Sequence, residues 1–116
     1  MNPITYNDID PVLLPWAATR GLHVYTEYKG EEVRSISAVD KWGDQYGLYA
    51  VPDCENGNKT VAVGADLEKR ANKQHTFYRE RKQYHFRKSV DVSALKDTLD
   101  EAWLTTNGWS EQLHGK

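Results

Sequence analysis

The stretch LHVYTEYKGEEVRSISAVDKWGDQYGLYAVPDCENGNKTVAVGA, residues 22–65, decides the fold. Apolar and polar residues alternate along it, and Lys29-Gly30, Trp42-Gly43 and Asn56-Gly57 punctuate it. Period-two alternation broken by turn signals predicts an antiparallel meander. Cross-strand partners then choose the registers. A two-residue loop at Lys29-Gly30 would set Glu27 against Glu32, a like-charge pair. A four-residue loop, Lys29 to Glu32, is therefore preferred; it pairs Glu27 with Arg34, Tyr28 with Val33 and Tyr25 with Ile36. A turn at Trp42-Gly43 pairs Lys41 with Asp44, Val39 with Tyr46 and Ile36 with Tyr49. Asn56-Gly57, the strongest hairpin signal, aligns Ala50 with Val63 and Pro52 with Val61.

These registers collect Leu22, Val24, Tyr28, Val33, Val39, Tyr46, Leu48, Ala50, Val61 and Val63 on one face, the expected core. On the other face Tyr25, Ile36 and Tyr49 fall in a row, with His23, Glu27, Arg34 and Val51 around it. Either the chain after residue 66 folds back over this row, or the row is an exposed apolar patch that marks a partner site.

Helices flank the meander. Asp10-Pro11 is a start signal, Leu13, Trp16 and Ala17 follow at helical spacing, and Gly21 is a stop, with Pro15 as an inconsistency. At the other end Asp91 is a suitable N-cap for a helix over 92–106, with Val90 and Leu95 as a hydrophobic staple. Leu95, Leu99, Ala102 and Trp103 form its buried stripe, Asn107-Gly108 ends it, and Trp109 packs back. Residues 67–74 read as a polar loop and Phe77 to Val90 as one or two irregular strands, with a helix from Asp66 to Phe86 as the competing reading, for which Leu67, Ala71, Tyr78 and Phe86 make a poor stripe. The expectation is an α+β single domain over 1–116: a four- to five-stranded antiparallel meander with a short N-terminal helix and a C-terminal helix on one face.

A chain of 116 residues is one domain's worth. The N-terminus lacks a basic region followed by an apolar run, and no stretch is long enough for a membrane span, so a cytoplasmic protein is expected. Cys54 is the one cysteine and can form no intramolecular disulfide. The net charge of −2 hides three blocks: −5 over residues 1–66, +6 over 67–90 and −3 over 91–116. Such asymmetry bears on partners rather than on fold.

No phosphate-cradling glycine loop, HExxH, CxxC or nucleophile elbow is present. The four histidines are dispersed, so no metal site and no cofactor are expected. The segment 75–88 interleaves His75, Phe77, Tyr78, Tyr84, His85 and Phe86 with Arg and Lys, as a nucleic-acid surface or a small ribonuclease using His75 and His85 would. The acidic total favours a solvated strand, or one that meets an acidic partner.

The stretch from Gly21 to Tyr49, with a short helix before it and Leu95, Leu99, Ala102, Trp103 and Trp109 in a helix after it, resembles small bacterial immunity proteins. These are the inhibitors of contact-dependent growth inhibition and other polymorphic toxins. The likeness covers most of the chain in layout, without a diagnostic motif. It implies a non-catalytic cytosolic protein that binds one toxin domain, the C-terminal domain of a large secreted effector and often a nuclease, and blocks its active site or substrate surface. No membrane, small-molecule substrate or direct nucleic-acid partner is expected. The candidate contacts come from the strand registers: Tyr25, Ile36 and Tyr49 as apolar centre, Glu27 and Arg34 as rim, and Asp40, Trp42 and Asp44 at a hairpin tip. The acidic residues would steer association with a basic nuclease and mimic phosphate.

Overall fold

Thr5 opens the first helix through a capping box: its hydroxyl accepts from the Asn7 amide, and the Asp8 carboxylate accepts from the Thr5 amide at 2.9 Å. Helix α1 therefore spans Tyr6–Thr19 and begins well before the expected Asp10-Pro11 start. Pro11 and Pro15 both lie inside it on its exposed side, while Ile9, Leu13, Trp16 and Ala17 are buried. The computed structural model describes residues 2–71 and 83–114.

Five strands follow: β1 (Val24–Tyr28), β2 (Glu31–Val39), β3 (Gln45–Pro52), β4 (Val61–Lys69) and β5 (His85–Val90). They form one antiparallel sheet in sequence order, the expected meander. Residues 67–69, expected in a loop, extend β4, and the strand expected before Val90 is β5. The rest of that expectation, over 72–82, lies outside the described residues.

The third expected register is the one observed, Ala50 against Val63 and Pro52 against Val61. The first two are shifted. β1 and β2 are joined by the two-residue turn Lys29-Gly30, with Lys29 at φ 52° and Gly30 at φ 83°. Positive φ at both turn residues matches the twist of a two-residue hairpin, and Glu27 does stand opposite Glu32. β2 and β3 are joined through Asp40–Asp44 rather than a two-residue turn, so Ile36 pairs with Leu48 and Ala38 with Tyr46.

A slip of one residue moves a side chain to the other face. Val24, Ile36, Leu48, Ala65 and Phe86 make one cross-sheet row on the helix side. The row on the open side is Tyr25, Ser35, Tyr49, Gly64 and Arg87. Ile36, expected with Tyr25 and Tyr49, is thus core at 3% exposure. Tyr28 and Val39, expected in the core, are 63% and 64% exposed.

Helix α2, Leu95–His114, follows a single 3-10 turn over Val92–Ala94; the Asp91 side chain makes no capping bond. It runs through Asn107-Gly108 and far past the expected end at residue 106. Contacts beyond the glycine explain this: Trp109 is buried beside Tyr46 and Tyr84, and Ser110 and His114 bond to the β2–β3 turn. Tertiary partners outweigh a glycine penalty of about 1 kcal/mol. Across the helix layer Trp16 packs edge-on against Trp103 and donates its indole N–H to Asp100 at 2.8 Å, which joins α1 to α2.

On the open side the Tyr49 ring covers Gly64, where a Cβ would overlap it. Gly64→Ala should therefore destabilise the fold by about 1–3 kcal/mol in denaturant unfolding. In a Tyr49→Ala background the same substitution should cost clearly less.

Candidate partner-binding surface

β1 is an edge strand, and all but its first residue are exposed. Its pairing with β2 is irregular: Tyr25 faces Ser35 and Tyr28 faces Glu31, with a bulge between Tyr25 and Glu27. In a regular strand two residues three apart point to opposite faces. Ser35 and Glu31 share a face of β2, so the bulge turns Tyr25 and Tyr28 to the same, open side. Tyr25 is 50% exposed and packs edge-on against His23. Exposed Ser37 and Val39 continue this margin along β2 on the same face.

The other side of the hairpin carries charge. Glu27 stands opposite Glu32, and like charges in direct opposition destabilise a strand pair. Arg34 takes up Glu32 at 3.0 Å, and Lys29 lies over the Tyr28 ring. Glu27, Glu31 and Glu32 are all exposed. The hairpin thus carries Glu31 beside the exposed phenols on the open side, and Glu27 and Glu32 on the other side.

The other expected contact residues take structural roles. Arg34 is buried; it grips Asp10 of α1 at 2.7 and 3.0 Å and lies over the Tyr6 ring. The hydrogen bond to Asp10 leads the causes that raise its pKa. It anchors α1 to the sheet and forms no rim. Ile36 is core, and Tyr49 is the lid of Gly64. Tyr28, Val39, Glu31 and Glu32 were missed. The Lys-Gly dipeptide was their signal: a tight turn there sets the register that exposes them.

At the other end of β2 the expected tip residues Asp40, Trp42 and Asp44 come together with the end of α2. The Asp40 carboxylate accepts from the Trp42 and Asp44 amides and from Ser110 Oγ at 2.7 Å. Asp44 is fully buried rather than presented to a partner. It meets His114 Nε2 at 2.6 Å, Arg70 Nε at 3.2 Å and the Ala71 amide at 2.8 Å. Trp42 stacks on the His114 ring at 4.2 Å and keeps 37% exposure. Asp40, Asp44 and His114 also bring ligand-type atoms within 4.8 Å of one another. Arg70 and the hydrogen bonds already answer both carboxylates, so a cation would have to displace them. The arrangement is a clasp between the β2–β3 turn and α2.

Of the basic segment, Tyr84 is buried and Phe86 packs against the core, so neither is free to stack on a base. Lys88 pairs with Glu101, and Arg87 reaches Asp53. His85 is exposed, whereas His75 lies outside the described residues. No helix among the described residues is long and apolar enough to cross a membrane. No protein-family model, curated protein or solved structure matches the chain.

Burial pushes the Asp44 carboxyl up, but the His114 and Ala71 hydrogen bonds and the Arg70 charge outweigh it, and its pKa lies below the usual 3.8. A carboxylate held below its unfolded value stabilises the fold above that value, and the contribution is lost as pH falls through the folded one. Asp44→Asn should cost about 1–3 kcal/mol at pH 7 and flatten the loss of stability as pH falls below about 4, followed by denaturant unfolding.

Proposed function

We propose that this chain is an immunity-type binding protein that neutralises a basic toxin domain, most simply a nuclease, by covering its active site or substrate surface. The observation that carries the reading is the bulge that presents Tyr25 and Tyr28 together on an edge strand, with Glu31 on the same side and the exposed Glu27 on the reverse of the hairpin. Exposed tyrosines supply large anchors at small entropic cost, and carboxylates beside them suit a surface built to hold phosphate. The bulge interrupts the edge ladder, so side chains rather than an added strand make the contact.

The layout resemblance to immunity proteins supports the same reading, with the cytoplasm as the place of action. No chemistry by this chain is required: occlusion suffices. From Glu31 to Val39 the margin runs about 26 Å at strand rise, close to the edge length of a patch of about 800 Å², the share of one partner in a standard interface. Val39 and Trp42 extend it at the far end, whereas Asp40 and Asp44 hold Trp42 in place.

The partner to test in calorimetry is a basic nuclease toxin domain, sought as the variable C-terminal domain of a large secreted protein whose gene lies directly upstream. Replacing Tyr25 and Tyr28 with Ala should leave the melting temperature nearly unchanged and weaken binding by about 2 kcal/mol or more. Unfolding of that variant, or unchanged affinity, would contradict the assignment. Glu27→Lys should raise the stability of the free protein by about 0.2–1 kcal/mol, because it removes the clash with Glu32. The same substitution should slow association with the toxin at low salt, measured by stopped flow.

A further inference from the structure

α1 and α2 both pack on the side of the sheet that carries Ile36, Leu48 and Ala65, and no helix among the described residues covers the other side. In the middle of that open side β3 and β4 each contribute a glycine. The Glu68 carboxylate lies where a Cβ of Gly47 would stand, and the Tyr49 ring lies over Gly64. Side chains laid down over glycines keep the centre of the face low.

Asp66 has no evident role within this face. It stands opposite Gly47 on β3 and His85 on β5 and is half-buried. A carboxylate partly withdrawn from water is usually paired. Among the described residues, however, Asp66 makes no side-chain hydrogen bond or ion pair, and it does not bond His85. Arg87 turns to Asp53, and Lys69 at the end of β4 pairs with neither Asp66 nor Glu68. Glu68 has a neutral donor, the Gln45 amide at 3.0 Å. Two carboxylates thus meet beside Gly47 without an ion pair from the described residues.

We propose that the contact with the basic partner extends from the β1–β2 hairpin across the open face of β3 and β4, where Asp66 and Glu68 receive its lysine or arginine side chains. That the partner is a toxin domain rests on the immunity reading above. Size supports the extension. The hairpin margin is long but two strands wide, and β3 and β4 add about 10 Å of width at strand spacing toward a patch of about 800 Å². Charge selects the occupant: these carboxylates repel nucleic acid, and they repel the identical face of a second copy. The β4 amides already bond β3 and β5, so a contact made by side chains leaves their exchange unchanged and is read from chemical shifts and substitutions.

The labelled full chain is titrated with octalysine, and with octaserine as an uncharged control, in two-dimensional NMR at about 20 mM and about 300 mM salt. Octalysine should shift the Tyr25, Gly47 and Asp66 amides at low salt and much less at high salt, and octaserine should shift none. Asp66→Asn should weaken octalysine about twofold to fivefold, the range of one exposed ion pair, and leave the denaturant midpoint unchanged or higher, since no internal partner is lost. Shifts confined to the helices, equal octalysine affinity in Asp66→Asn, or a lower midpoint in that variant would overturn the proposal. The toxin domain separates this extension from the reading it rests on. Asp66→Lys should weaken that domain by about tenfold or more. Full binding by Asp66→Lys, with Tyr25→Ala and Tyr28→Ala still weakening the complex, would refute the extension and leave the hairpin assignment standing. An octalysine response as expected with no binding of the toxin domain would refute the immunity reading and support the acidic face as a contact for another basic protein.

Discussion

The two-residue turn at Lys29-Gly30 is the constraint on which the rest of the structure depends. Two consecutive residues at positive φ close β1 onto β2 at Tyr28 and Glu31 and leave no slack for another register. Everything downstream follows from parity. Ile36 joins the cross-sheet core row, Arg34 points to the helix side where Asp10 and Tyr6 receive it, and Tyr28 is set opposite Glu31 on the open side. The bulge then brings Tyr25, opposite Ser35, to that side.

This register carries a local penalty, Glu27 opposite Glu32, that the alternative loop would avoid. Local and global preferences usually agree in a foldable sequence, and their disagreements gather at functional sites. Here the conflict falls on an exposed edge beside two unburied aromatics, where a basic partner would relieve it. Several other charges are answered within the protein: Arg34 by Asp10 and Glu32, Asp44 by Arg70 and His114, and Arg20 by Asp100. On the β1–β2 hairpin Glu27 and Glu31 stand exposed, while Glu32 is held by Arg34.

Much of the fold was legible in the sequence. Alternation and turn dipeptides predicted the meander, and the Asn56-Gly57 register and the packing of Trp109 agree with the structure. What failed was decided by physics that single residues do not display. The like-charge argument chose the wrong loop because its penalty, at most about 1 kcal/mol, is smaller than the gain from burying Ile36. Asn107-Gly108 looked like a helix end because the bonds of Ser110 to Asp40 and His114 to Asp44 span 70 residues. The Thr5-x-x-Asp8 capping box was readable and was overlooked in favour of Asp10-Pro11. Of the expected contact residues, Tyr25, Glu27 and Trp42 remain exposed, whereas one register slip moved Arg34 and Ile36 inward.

The account's central claim is that the β1–β2 hairpin is the partner surface, and hydrogen exchange of the protein bound to its toxin domain tests it most directly. The amides from Tyr25 to Glu32 and from Ser37 to Trp42 should gain protection on binding, while those of the central strand β4 stay unchanged. Protection confined to β5 or to the helices, with the hairpin exchanging as in the free protein, would contradict it.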